Sequence, residues 1–155
     1  MRADENDGDS PAPLVSFGLF TDCHHAEKTT GGSRHYALTL EKMERMQAVF
    51  QDADLDFVIQ LGDCIDASGS PDEDRQFLRM FDKTYAAFDG PRYYVLGNHC
   101  LDHLTKDEFF AATSATIKES YYTFVHGGVR FLVLDADFRA DGEPYAVGNY
   151  SWTDS

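Results

Sequence analysis

Short apolar runs, each followed by a polar cluster, alternate along this chain with longer amphipathic stretches. Leu14 to Phe20, Phe57 to Leu61 and Tyr93 to Leu96 have the length and the β-branched and aromatic content of strands. Between the first two, a helix is expected from about Arg34 to Asp52. There Leu38, Met43, Met46, Val49 and Phe50 fall at three- and four-residue spacings on one face. Between the second and third, Ser70 reads as an N-cap with Pro71 at the first helical position. That helix carries Phe77, Met80, Phe81 and Phe88 to a stop at Asp89-Gly90-Pro91. Thr105-Lys106-Asp107-Glu108 has the form of a capping start for a short helix through Ala112. Tyr121 to Val125 and Val129 to Leu134 read as a hairpin about His126-Gly127-Gly128, with Tyr121, Tyr122, Phe124 and Phe131 in its core. The order β-α-β-α-β-α-ββ predicts an α/β layered architecture.

The polar clusters after the three single strands carry the chemistry: Asp22-Cys23-His24, Gly62-Asp63-Cys64-Ile65-Asp66 and Gly97-Asn98-His99. The chain between successive clusters is long enough for a strand–helix–strand crossover, so all three can lie at one edge of a parallel sheet, where open α/β sheets hold their ligands. In an extended Asp-x-His the outer side chains share one side, so Asp22 and His24 can grip one cation while Cys23 packs backward. Gly62 and Gly97 allow close backbone approach. Asp63 could bridge two cations, and Asn98 offers a neutral carbonyl. Oxygen and imidazole donors together suit manganese, zinc or iron better than calcium. Any one cluster alone could be a strand-end cap or turn; the three in this order point to a metal site.

Composition narrows the partners. The 155 residues contain 13 Lys and Arg against 27 Asp and Glu, a formal charge of −14. Such a chain repels phosphate backbones and anionic lipid, which argues against nucleic-acid coating or a membrane-surface role. An anionic substrate can still bind where cations reverse the local field. No apolar stretch approaches a membrane span, and Met1 to Pro13 lacks the features of a secretory signal. Residues 1–13 read as a disordered acidic leader, and a cytoplasmic location is the expectation. Three cysteines argue against a disulfide framework, although Cys23, Cys64 and Cys100 each adjoin a candidate ligand and a thiolate zinc site is the rival use for them. His25, next to His24, is expected to face away from the site, and His103 and His126 are expected at the surface.

The three clusters resemble the Asp-x-His, Gly-Asp-x-x-Asp and Gly-Asn-His-Asp/Glu motifs of calcineurin-like metallophosphoesterases, over about Phe17 to Asp135. Gly32-Ser33-Arg34-His35-Tyr36 and Gln60-Leu61-Gly62-Asp63 look closest to the manganese-dependent ADP-ribose/CDP-alcohol diphosphatase branch. The resemblance implies the N-terminal half of a four-layer α/β/β/α sandwich with a two-metal site. By position, Asp22 and His24 would bind the first metal, Asp63 would bridge both, and Asn98 would bind the second. His99 would assist the phosphate or the leaving oxygen, Asp66 would orient ligands from behind, and Arg34 could contact a substrate phosphate. The implied cofactors are two divalent ions, manganese first, with iron or zinc as alternatives. The implied reaction is hydrolysis of a phosphate ester or pyrophosphate bond in a small phosphorylated substrate such as a nucleotide derivative, by a water that the two metals activate.

Three features depart from that pattern. Cys100 stands where an acidic residue usually follows Asn-His, so the partner that orients His99 is not given by the motif. The diphosphatase branch often has Gln where this chain has His24. The Gly-His and Gly-His-x-His motifs of the superfamily's second half do not occur. Residues 14–155 are therefore expected to be a metallophosphoesterase domain truncated at its C-terminal side. The alternative to an enzyme is a catalytically silent half-domain that binds metal weakly or serves in association.

Overall fold

The computed structural model describes residues 12–148, so the leader, except for Ala12 and Pro13, and the stretch after Gly148 lie outside the described residues. Strands β1 (Phe17–Phe20), β2 (Phe57–Gln60) and β3 (Arg92–Tyr94) form a parallel sheet in the order β1-β2-β3. Helix α1 (Thr39–Asp52) connects the first pair and α2 (Pro71–Tyr85) the second, while the short α3 (Lys106–Ala112) follows β3. Strands β4 (Tyr122–His126) and β5 (Val129–Val133) form a separate antiparallel hairpin. Gly127 and Gly128 both have positive φ, 54° and 77°, as a two-residue turn of this hand requires.

The parallel sheet is clad on both faces. On one side Val58 and Tyr94 join Met43 of α1, Phe77, Leu78, Phe81 and Tyr85 of α2, and Phe109 and Phe110 of α3 in the main core. On the other, Phe57 and Ile59 meet Phe124 and Val133 of the hairpin, with Tyr93 stacked on Phe124 at 3.6 Å between ring centroids. The hairpin is also pinned by hydrogen bonds. The Tyr122 hydroxyl donates to the Tyr94 carbonyl (2.8 Å) and accepts from the Tyr94 amide (3.1 Å). All four residues of β2, the central strand, are buried.

The helix-start signals take effect as expected. Ser70 accepts from the Glu73 amide with Pro71 at the first turn, and Thr105 and Glu108 form a reciprocal capping box. Other expectations are corrected. The first helix begins with a 3-10 turn at Tyr36–Leu38 and becomes α-helical only at Thr39. Its buried face is Thr39, Met43 and Gln47, whereas Leu38 and Val49 are exposed. Gln47 takes an inward place because its Nε2 donates to the Tyr85 carbonyl at the end of α2 (3.1 Å). The second helix ends at Tyr85, and Phe88 is buried in the turn beyond it. β1 is four residues long and lies at the sheet edge, leaving Phe17 and Leu19 partly open. Tyr121 falls just before β4 and is 66% exposed, so it is not part of the hairpin core.

Candidate metal centre

Because β1, β2 and β3 run parallel, the segments that leave their C-terminal ends emerge on one edge of the sheet. The first two stay paired beyond it. The Asp22 amide donates to Gly62 O (3.2 Å), His24 to Asp63 O (2.8 Å) and His25 to Cys64 O (2.9 Å). Buried Gln60 ties in the third: its Nε2 donates to Val95 O (2.7 Å) while its Oε1 accepts from the Gly62 amide (2.7 Å). A glutamine in an otherwise apolar buried strand is the sequence signal for this role. At the other end of the first segment, the Thr39 hydroxyl that opens α1 donates to Cys23 O (2.7 Å).

The loops themselves are not extended. Asp22, His24 and Asp63 have φ of 55°, 46° and 50°, the left-handed region that side chains other than glycine rarely take. Asp22 and His24 do come together, but through this coiled backbone and not by strand alternation. His24 Nε2 lies 3.6 Å from Asp22 Oδ1 and 3.8 Å from Asp63 Oδ2. His24 is buried, Asp63 half-buried and Asp22 exposed. Asp63 turns its other oxygen, Oδ1, to the His99 amide (3.0 Å). Among the described residues, His24, Asp63 and His99 bring one donor atom each within 4.8 Å of one another. The His24 and His99 rings meet edge to face at 5.0 Å. Asn98 opens the 3-10 turn Asn98–Leu101 and is half-buried beside His99.

Asp66 sits behind this group, nearly buried. Its Oδ1 accepts from Lys28 Nζ (2.9 Å), and its Oδ2 faces Arg34 (3.5 Å) and His24 Nδ1 (3.3 Å). Burial pushes the Asp66 carboxyl up, but the Lys28 ammonium outweighs it and, with His99 and His24, holds it below the usual range. Arg34 is half-exposed. It lines a cavity of about 380 Å³ together with Asp22, His24, Tyr36 and Lys42. That is the size of a small-molecule site, and its lining includes the Arg34 and Lys42 cations and the Asp22 carboxylate.

The neighbours separate cleanly from the site. His25 is buried against Phe77 as a core residue, and burial lowers its pKa. His103 is bonded to the buried Asp74 (2.9 Å), and half-buried His126 to Tyr93 (3.0 Å), so neither is a free surface residue. Cys64 and Cys100 are buried with their sulfurs 3.5 Å apart. Burial, then the Asp22 carboxylate and Cys100, push the Cys23 thiol up to about 12. Among the described residues no metal-sized group of three includes a cysteine.

Asp137, which the sequence reading did not single out, is buried near the site. Burial first, then the Asp135 and Asp63 carboxylates, raise its carboxyl to about 6 against the pull of Lys106. Its unfolded value is near 3.9. The protonated form therefore favours the fold fully below about pH 3.9, and that contribution is lost as pH rises through 6. Asp137→Asn should accordingly stabilise the metal-free protein by about 1 kcal/mol at pH 8 and change little at pH 4. Thermal melts at the two pH values check this, and equal shifts at both would refute the assignment.

The donor set fits a divalent cation. Two ligand atoms that share an ion at roughly 2.1 Å each stand about 3–4 Å apart. The His24–Asp22 and His24–Asp63 gaps have that separation and are too long for hydrogen bonds. His24 Nδ1 is buried without a hydrogen-bond partner, although Asp66 lies beside it, as for a ring whose working face is Nε2.

Comparison with known proteins gives this arrangement a lineage. The calcineurin-like phosphoesterase family model matches residues 15–152. A manganese-dependent ADP-ribose/CDP-alcohol diphosphatase from Arabidopsis thaliana is 30% identical over 142 residues, covering 85% of this chain and 46% of that protein. The protein of the same name from Oryza sativa subsp. japonica is 31% identical over 145 residues, covering 87% and 45%. The chain thus spans about half the length of the curated relatives it matches. The crystal structure of a dimetal phosphatase from Danio rerio superposes with a TM-score of 0.74 at 21% identity, over 92% of this chain and 51% of that one. The shared fold is the α/β metallophosphoesterase fold that the family resemblance implied, in keeping with the α/β layering predicted by the strand–helix order. On the family match and the strand-end motifs together, the chain belongs to the calcineurin-like phosphoesterase family.

Proposed function

We propose that this protein is a metal-dependent hydrolase of a phosphate ester or diphosphate bond in a small phosphorylated substrate, with a nucleoside diphosphate derivative such as ADP-ribose or a CDP-alcohol as the first class to test. The observation that carries the reading is the convergence of His24, Asp63 and His99 at the ends of three parallel strands. Asp22 and His24 would hold one divalent ion, Asn98 a second, and Asp63 both. Manganese is the first choice, with iron and zinc as alternatives, because oxygen and imidazole donors suit all three. When bound, two such cations would neutralise phosphate charge and acidify a coordinated water. Asp66 would steady the His24 ring through Nδ1, and Arg34 with Lys42 would meet substrate phosphate in the cavity beside the site. His99 would give a proton to the leaving oxygen. Its pKa is raised, first by the hydrogen bond that His99 donates to Asp102, against burial and with help from the Asp102, Asp63 and Asp66 charges, which favours the proton-donating form. The three free cysteines, Cys23, Cys64 and Cys100, are compatible with the cytoplasmic location expected from the sequence.

A second reading rests on length. Matching under half of its curated relatives, the chain could bind metal through these residues without catalysing hydrolysis. The test offers Mn²⁺-loaded protein a phosphomonoester, a phosphodiester, ADP-ribose and a CDP-alcohol, with Mn²⁺ binding followed by calorimetry. Hydrolysis of the diphosphates that chelation stops and Mn²⁺ restores is the expected result. Binding without turnover would establish the silent half-domain, and neither binding nor turnover would overturn both readings.

A further inference from the structure

The motif leaves His99 without its usual acidic neighbour, since residue 100 is a cysteine whose sulfur lies in the core, 3.5 Å from that of Cys64. A carboxylate reaches the ring from elsewhere. Asn98–Leu101 is a 3-10 turn, and in a helix with three residues per turn the side chains at i and i+3 eclipse. Asp102, the residue closing that turn, therefore stacks under His99, and its Oδ2 lies 2.9 Å from His99 Nδ1. Asp102 is only 11% exposed and His99 28%, so water competes weakly for the contact. The rival carboxylate is Asp66, but its nearer oxygen is 3.9 Å away, beyond hydrogen-bond range, and is already taken by Lys28.

We propose that Asp102 is the positioning residue for His99. It accepts a hydrogen bond from Nδ1–H, fixes the ring plane and sets the tautomer, so that Nε2 is the atom left to exchange a proton with substrate. The two carboxylates thus divide two rings between them, Asp66 beside His24 and Asp102 beside His99. The chemical use of His99 rests on the function proposed above; the tautomer assignment does not.

The experiment is ¹⁵N NMR of the histidine side chains in the metal-free full chain, at a pH where the ring is neutral. His99 is expected in the Nδ1–H form in the native protein, and an Nε2–H tautomer there would overturn the proposal without any variant. Asp102→Asn keeps the shape but offers an amide N–H, which should convert His99 to the Nε2–H form. Asp102→Glu should return part of the Nδ1–H population, and the His24 and His25 signals should stay in place. If Asp66→Asn converts His99 and Asp102→Asn does not, Asp66 holds the ring and the inference fails. In protein that shows hydrolysis, Asp102→Asn should cut kcat about 10- to 100-fold with little change in KM or Mn²⁺ affinity. A loss of Mn²⁺ affinity with the tautomer unchanged would instead make Asp102 a ligand or a structural residue. Should no substrate be cleaved, the proposed function fails while the tautomer measurement still decides the role of Asp102.

Discussion

Asp63→Asn is expected to weaken Mn²⁺ binding by more than about a hundredfold and to take metal-dependent hydrolysis with it, while leaving a folded protein. Residues that only support a ligand cost roughly 10–100-fold when lost, and Asp63 is proposed above as a direct ligand. Its Oδ2 faces His24 Nε2 at 3.8 Å and its Oδ1 receives the His99 amide. Asparagine removes the charge but keeps an acceptor for that amide, and it tolerates a φ of 50° better than most residues. The variant thus separates metal binding from folding. Calorimetric Mn²⁺ titration with circular dichroism makes the comparison, and unchanged affinity would sink the assignment of Asp63.

Gly97→Ala should produce the largest loss of stability near the site without touching a donor atom. A Cβ there would come 2.4 Å from Asp63 Oδ1 and 2.6 Å from the Asp63 backbone nitrogen. The nitrogen belongs to a segment held by three backbone hydrogen bonds, so it cannot step aside cheaply. Overpacking of this kind costs about 1–3 kcal/mol. The expected result is a lower melting temperature together with weaker Mn²⁺ binding, because the clash displaces the carboxylate itself. A variant that melts and binds like the native protein would show that the two loops are not as closely apposed as these distances require.

What the sequence made legible follows from how local each signal is. The caps at Ser70 and Thr105 and the glycine turn of the hairpin are decided within a few residues, and all three form as read. The meeting of Asp22 with His24 was also foreseen, but for the wrong reason. Strand alternation predicts that they align, whereas both residues lie in left-handed backbone, whose sign no periodicity reports. The apolar face of α1 was overdrawn at Leu38 and Val49, because a buried glutamine bonded to α2 occupies part of the interface that five apolar positions were expected to fill. Asp102 escaped notice because its contact with His99 depends on a 3-10 turn that the Asn-His sequence does not announce. The bonded positions of His103 and His126 are not legible locally, because their partners, Asp74 and Tyr93, are distant in sequence.

The left-handed backbone at Asp22, His24 and Asp63 has a consequence for how this protein can change. Each such residue holds about 1 kcal/mol of conformational cost that glycine would relieve. Three of the candidate ligands therefore sit where the more stable residue is one with no side chain to offer a cation. Selection for thermal tolerance alone would drift toward glycine at these positions and erase the chemistry, as happens when activity depends on locally unfavourable structure. Two aspartates and a histidine at these positions are therefore not what folding stability alone would favour.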